Sequence, residues 1–189
     1  MPHDATPSPE PAMTAQPETV GVKMVAYHGQ QEIKDKYLAR VRAHREADNL
    51  IQGTGWEDGK GCAVGCTLED YDHSKYPEVL GIPVELAYLE DKIFEGLSNG
   101  KAQAWPERFL SAIKPGADLS KVHLRMKIFA LEQCRENAFD DGKAAIDQVV
   151  LLLSRCVEGD IPSNEEWSAA WSAAWEKFSD NLIALLEAA

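Results

Sequence analysis

The chain has no run of 18 consecutive apolar residues, so no membrane-spanning helix is expected. It is short of positive charge, with 19 Lys and Arg against 31 Asp and Glu and a net charge of −12. That balance argues against nucleic acid as a partner, because non-specific binding needs clustered cations. Four cysteines in 189 residues are too few for a dense disulfide framework, so reduced thiols and a cytoplasmic location are expected. The first residues, Met-Pro-His-Asp-Ala-Thr-Pro, lack the basic start and apolar run of a secretory signal. Strand-like alternation is missing as well, and the legible periodicity is helical throughout, so the fold is read as all-α with no β-sheet. The chain holds no phosphate loop, dinucleotide fingerprint, serine elbow or His-Glu-x-x-His helix, which leaves no positive argument for an enzyme.

What is present divides into two parts. Residues 1–21 hold five of the ten prolines among Ala, Thr, Ser and Glu. Such a composition buries too little apolar surface to offset ordering entropy, so this segment is expected to be disordered. Residues 22–189 are expected to form a single compact multi-helix domain. Ile33, Tyr37, Leu38 and Val41 mark a first amphipathic helix between 30 and 50, whose outer face carries Lys34, Lys36, Arg40, Arg42 and Arg45. That basic face is read as solvated, with an anion or acidic partner as the sharper alternative. Pro83 suits the first turn of a helix bearing Leu86, Leu89, Ile93, Phe94 and Leu97, with Asn99-Gly100 as its stop. Trp105-Pro106 is read as opening a further short helix. Two longer helices follow, around Met126 and around Val150, with Cys134 and Cys156 expected to be buried in them as small hydrophobes.

The densest chemistry lies at 53–66, Gly-Thr-Gly-Trp-Glu-Asp-Gly-Lys-Gly-Cys-Ala-Val-Gly-Cys, where five of fourteen residues are glycine. The glycines suit turns with positive φ and close backbone approach. A short helix is expected from Cys62, with Cys62 and Cys66 on one face and a thiolate favoured by free backbone N–H groups. His44 precedes this stretch and His73 follows it. Three readings are open for Cys62, Cys66, His44 and His73. The first is structural: a tight turn plugged by Trp56 with the thiols packed beneath. The second is a metal site, zinc held by two thiolates and one or two imidazoles. The third is a nucleophilic cysteine with a histidine base and a carboxylate such as Asp58 or Asp70. The paired acids, Glu90-Asp91 among them, read as turn residues or helix surface.

The last helix has a clear start, because Ser163 and Glu166 are spaced as a capping box. Trp167, Trp171 and Trp175 then recur every four residues, extended by Phe178 and Leu182, and form one stripe on a helix. The stripe packs on the core, or it is a surface for a protein partner or for self-association, since tryptophan is enriched in binding hot spots.

Ala26-Tyr27-His28, Ala43-His44-Arg45-x-Ala-Asp48, Trp56-x-Asp-Gly-Lys-Gly-Cys-Ala-Val-Gly-Cys-Thr-Leu68, Leu80-Gly-Ile-Pro83, Leu89-Glu-Asp-x-Ile-Phe-Glu-Gly-Leu97 and Ala104-Trp-Pro-Glu-Arg-Phe-Leu110 together resemble a family of uncharacterised proteins of bacteria, prophages and phages. The resemblance runs from about Met24 to Val122. It implies that residues 1–23 are an extension, that the setting is a bacterium or a phage-infected one, and that no catalytic role transfers. The function expected is that of a non-catalytic accessory or interaction protein, with a Cys/His metal protein or thiol enzyme as the alternative.

Overall fold

The structure, a computed structural model, describes residues 24–187, and of residues 99, 141, 176–178, 180–182, 184, 185 and 187 only the backbone. The disorder expected for 1–21, and the Phe178 and Leu182 side chains of the tryptophan stripe, therefore lie outside the described residues. Among the described residues the fold is mostly α: eight α-helices and one two-stranded hairpin in the order α1 (Gln31–Glu46), β1 (Trp56–Glu57), β2 (Lys60–Gly61), α2 (Ala63–Leu68), α3 (Tyr76–Leu80), α4 (Val84–Gly96), α5 (Asn99–Ala112), α6 (Val122–Arg135), α7 (Asp140–Glu158) and α8 (Asn164–Glu187). No helix among the described residues is long and apolar enough to cross a membrane.

The first five helices share one core, in which Tyr27, Val41, Val64, Tyr76, Leu80, Ile82, Phe94 and Leu110 are almost fully buried. Tyr37, Leu38 and Val41 supply the inner face of α1, as their spacing requires. The basic outer face of α1 is solvated at Lys36, Arg42 and Arg45, and most of its cations are also bonded. Lys34 donates to the carbonyls of Ser111 and Ile113, Arg40 donates to the Thr67 carbonyl, and Arg42 and Arg45 each bond one oxygen of Glu107. These contacts fasten α1 to α2 and α5, so most of the basic cluster has a structural use.

The expectation of no β-sheet needs correction at one place. Trp56 pairs with Gly61 and Glu57 with Lys60 across an antiparallel hairpin. Its turn, Asp58-Gly59, has positive φ at both residues, the geometry of a tight hairpin loop. Two residue pairs leave no periodic trace in a sequence, which is why the strand signal was missing.

The boundary near residue 100 also differs from expectation. Helix α4 ends at Gly96, where Gln52 reaches across to donate to the carbonyls of Phe94, Glu95 and Leu97. Asn99-Gly100 then begins α5, and Pro106 lies inside that helix with its ring fully buried. A proline removes one backbone donor from a helix interior. Burial of the ring, with the Trp105 indole donating to the Glu90 carbonyl at 2.9 Å, fixes it there.

The remaining three helices pack mainly among themselves, with α7 between α6 and α8. The capping box is formed: Glu166 N–H donates to Ser163 Oγ at 3.2 Å and Ser163 N–H to Glu166 Oε2 at 2.8 Å. The cysteines of this part depart from expectation, since Cys134 is exposed and Cys156 only half-buried. Helix α6 has no fully buried residue, and its apolar Leu124, Ile128 and Leu131 are only half-buried.

Candidate functional site

The glycine-rich stretch is shaped by one point of contact. The carbonyl oxygen of Gly55 lies where a Cβ on Gly65 would sit 1.9 Å away and a Cβ on Gly61 2.2 Å away. A Cβ on Gly55 itself would meet the Tyr71 ring at 2.6 Å. The hairpin, the start of α2 and the segment carrying Tyr71 thus close on each other at distances only glycine permits. Asn49 and Ile51 clamp the other side: Gly61 N–H donates to the Asn49 carbonyl and Ile51 N–H to the Gly61 carbonyl. This closure delivers Cys62 as the residue capping α2, where Gly65 N–H donates to its sulfur at 3.5 Å.

Cys62 is the extended residue that caps α2 while Cys66 lies within the helix, and the two sulfurs have different partners. Cys66 is buried and donates its S–H to the carbonyls of Asn49 and Gly61 at 3.5 and 3.4 Å. Burial pushes its thiol up to about 12, which makes it an inert strut of the loop. His44 is also elsewhere: it stacks edge-on against Trp56 with ring centroids 5.4 Å apart and faces Glu69 at 3.7 Å. Asp70 pairs with Lys75, and Asp58 sits in the hairpin turn. The four residues expected to converge are therefore divided, with Cys66 and His44 serving the scaffold.

Cys62 meets different company. Its Sγ, a carboxylate oxygen of Asp91 and one of Glu95 all lie within 4.8 Å of one another. Asp91 and Glu95 are one turn apart on α4, so their side chains leave the same face of that helix. Each of the three groups is held by a separate donor. Glu95 Oε2 accepts from Gly53 N–H at 2.8 Å, at the start of the glycine-rich stretch. Asp91 Oδ2 accepts from His73 Nε2–H at 3.1 Å and from Tyr71 O–H at 3.2 Å. Its other oxygen, Oδ1, is buried and makes no hydrogen bond, in a residue that is 8% exposed. His73 is itself clamped between aromatic rings, edge-on to Tyr71 at 5.0 Å and stacked on Tyr88 at 4.4 Å.

The order of groups decides the chemistry. In a thiol nucleophile the histidine stands between cysteine and carboxylate. Here Asp91 bonds His73 on one oxygen and faces the Cys62 thiol itself. Burial, and then the hydrogen bond and charge of the adjoining Asp91 carboxylate, hold that thiol well above its usual range, outweighing the backbone N–H groups of Gly65 and Val64. The thiolate expected at a helix start is thus disfavoured by the site as it stands. What the arrangement does offer is three oxygen and sulfur donors gathered within 4.8 Å of one another, with both carboxylates also held by hydrogen bonds.

Sequence reasoning missed Asp91 and Glu95, and the signal that could have found Asp91 lies in α4. Leu86, Ala87, Glu90, Asp91 and Phe94 are the buried residues of that helix, so its apolar stripe contains two acids. An acid at a position where the 3.6-residue period calls for an apolar residue marks an uncommon environment. The chain matches no protein-family model, no curated protein and no solved structure.

Proposed function

We propose that the protein binds a divalent transition metal of the zinc class, with Cys62, Asp91 and Glu95 as ligands. The observation that carries this reading is the convergence of the Cys62 sulfur, a carboxylate oxygen of Asp91 and one of Glu95 within 4.8 Å of one another, with Asp91 Oδ1 buried and lacking a hydrogen-bond partner while Oδ2 is held by His73 and Tyr71. A buried polar atom left without a partner costs on the order of 1–3 kcal/mol, and a cation removes that cost. A dication also reverses the electrostatics of the thiol, since a coordinated cysteine is deprotonated outright. The donor set selects the metal class: one sulfur with two carboxylates suits zinc, whereas Mg2+ and Ca2+ favour oxygen alone. His73 and Tyr71 orient the Asp91 carboxylate and Gly53 orients that of Glu95, the arrangement that ordinarily supports metal ligands.

Elemental analysis of the full chain purified without chelators is expected to show about one zinc per chain, with binding retained on titration of the metal-free protein. Cys62→Ser and Asp91→Asn are expected to weaken zinc by 100-fold or more, and His73→Gln by about 10–100-fold, as for a group orienting a ligand. Cobalt loading supplies an independent readout: a thiolate-to-cobalt charge-transfer band that Cys62→Ser abolishes and His44→Gln keeps. Absence of saturable zinc binding, or unchanged affinity in Cys62→Ser, overturns the proposal.

A further inference from the structure

A metal held by Cys62, Asp91 and Glu95 meets three donors of this chain, whereas zinc ordinarily takes four. The nearby candidates for a fourth are committed elsewhere. Cys66 gives its S–H to the carbonyls of Asn49 and Gly61, His44 lies edge-on to Trp56, and His73 spends Nε2 on Asp91. Asp70 is paired with Lys75. Among the described residues no further Cys, His, Asp or Glu joins the group.

Cover over the three ligands is uneven. Cys62 is 1% exposed and Asp91 8%, while Glu95 lies at the surface. Two aromatic rings stand on that outer side. Tyr71 is 51% exposed and donates its hydroxyl to Asp91 Oδ2. Burial first, and then the charges of Asp91, Cys62 and Glu95, raise that hydroxyl, so it borders all three ligands. Tyr88 is 58% exposed and occupies the same stripe of α4 as Asp91 and Glu95, at successive turns of the helix.

Charge narrows what can bind there. Ionised, the three ligands bring one more negative charge than a dication carries positive. Lys92, exposed on α4 next to Asp91, returns the sum to about zero, so a further anion finds no net attraction. A neutral donor meets no such limit. Among neutral donors an imidazole suits zinc, and its planar ring packs well beside exposed aromatic rings.

We propose that the metal held by Cys62, Asp91 and Glu95 keeps one coordination position open to solvent beside Tyr71 and Tyr88, and that this position takes an imidazole. The inference rests on the metal reading of the site and adds the class of ligand that the metal receives. Catalytic and ligand-binding zinc sites keep such an open position, whereas structural sites are closed by four protein donors.

Visible absorption of the full chain loaded with cobalt(II) tests this, because the cobalt bands move when a ligand joins the metal. Imidazole is expected to shift them saturably, at concentrations about 10-fold or more below those acetate needs, while the thiolate-to-cobalt band persists. Tyr88→Ala, loaded to saturation, is expected to weaken imidazole about 3–10-fold, the range of one aromatic contact. A peptide with a single histidine, run beside free imidazole, separates two sources of the group. Tighter binding by the peptide assigns the position to a protein partner, and tighter binding by imidazole assigns it to a small molecule. A chain that takes up no cobalt overturns the metal reading itself. A chain that takes it up, with bands indifferent to imidazole or with the thiolate band lost, overturns the open position alone. Acetate binding as tightly as imidazole overturns the neutral donor, and unchanged imidazole affinity in Tyr88→Ala overturns the part of its ring.

Discussion

Replacing Gly65 with alanine is expected to abolish the native fold around the glycine-rich stretch. The added Cβ would lie 1.9 Å from the Gly55 carbonyl oxygen, which is backbone and cannot swing away as a side chain could. Relief requires moving either the start of α2 or the hairpin. Each is tied down, by the Cys62 N–H bonds to the carbonyls of Thr54 and Gly55 and by the pairing of Gly61 with Asn49 and Ile51. Ordinary overpacking in a core costs about 1–3 kcal/mol, and a clash between two fixed backbones belongs at or beyond the top of that range, on the order of 4 kcal/mol. In a chain whose total stability is of order 5–15 kcal/mol, that is a large fraction. Urea denaturation should show the loss, and zinc affinity should fall with it because Cys62 is displaced. Gly96→Ala is the matched control: nothing lies within 4 Å of its added Cβ, so a neutral or slightly stabilising result is expected. If Gly65→Ala and Gly96→Ala have the same midpoint, the crossing at Gly55 does not carry the loop.

Gly65 also shows which parts of this molecule can be read from residues alone. Helices with a local cause were legible. Ser163 and Glu166 cap α8 through bonds spanning three residues, and α7 ends at Gly159 with φ 94°, a conformation glycine adopts without strain. The glycine pattern of 53–66 pointed to close backbone approach, and the crossing at Gly55 is that approach. The identity of the partners was not legible, because Cys62 meets Asp91 and Glu95 through tertiary packing of α2 on α4 and not through spacing. Two cysteines and two histidines near one another in sequence suggested a shared site. The two sulfurs take different partners, and the pairing of His44 with Trp56 took one imidazole away. Asn99-Gly100 misled for a related reason. Gln52, remote in sequence, already ends α4 at Gly96, so the dipeptide was free to start the next helix.

Metal-free wild type is expected to lose stability as pH rises from about 5 to 8, and Glu90→Gln to remove most of that slope. Glu90 is fully buried one residue before the proposed ligand Asp91, with Oε2 accepting from Tyr76 O–H at 2.6 Å and Oε1 without a partner. Burial, and to a smaller degree the neighbouring Asp91 charge, raise its carboxyl from the ordinary 4.5 to about 8, against the lowering effect of the Tyr76 bond. In the unfolded chain the same carboxyl releases its proton near its ordinary value. Between about 4.5 and 8 the unfolded state therefore binds fewer protons than the native state, and stability falls with pH across that interval. The stabilising contribution is complete below 4.5 and is exhausted once pH passes about 8. The full swing is on the order of 4–5 kcal/mol for one group shifted this far. About 3.5 kcal/mol of that swing falls between pH 5 and 8, so at roughly 2–4 °C per kcal/mol for a chain of this size melting should drop by about 7–14 °C from this group alone. Glutamine keeps the shape and an acceptor for Tyr76 but has no proton to lose, so its cost is the same at every pH. The difference between the wild-type and Glu90→Gln curves isolates Glu90 from every other titrating residue. Parallel curves from pH 5 to 8 would show that the buried carboxyl ionises at its ordinary pH, and with it that the interior face of α4 behind Asp91 is wetter than its packing against Tyr76 and Trp105 implies.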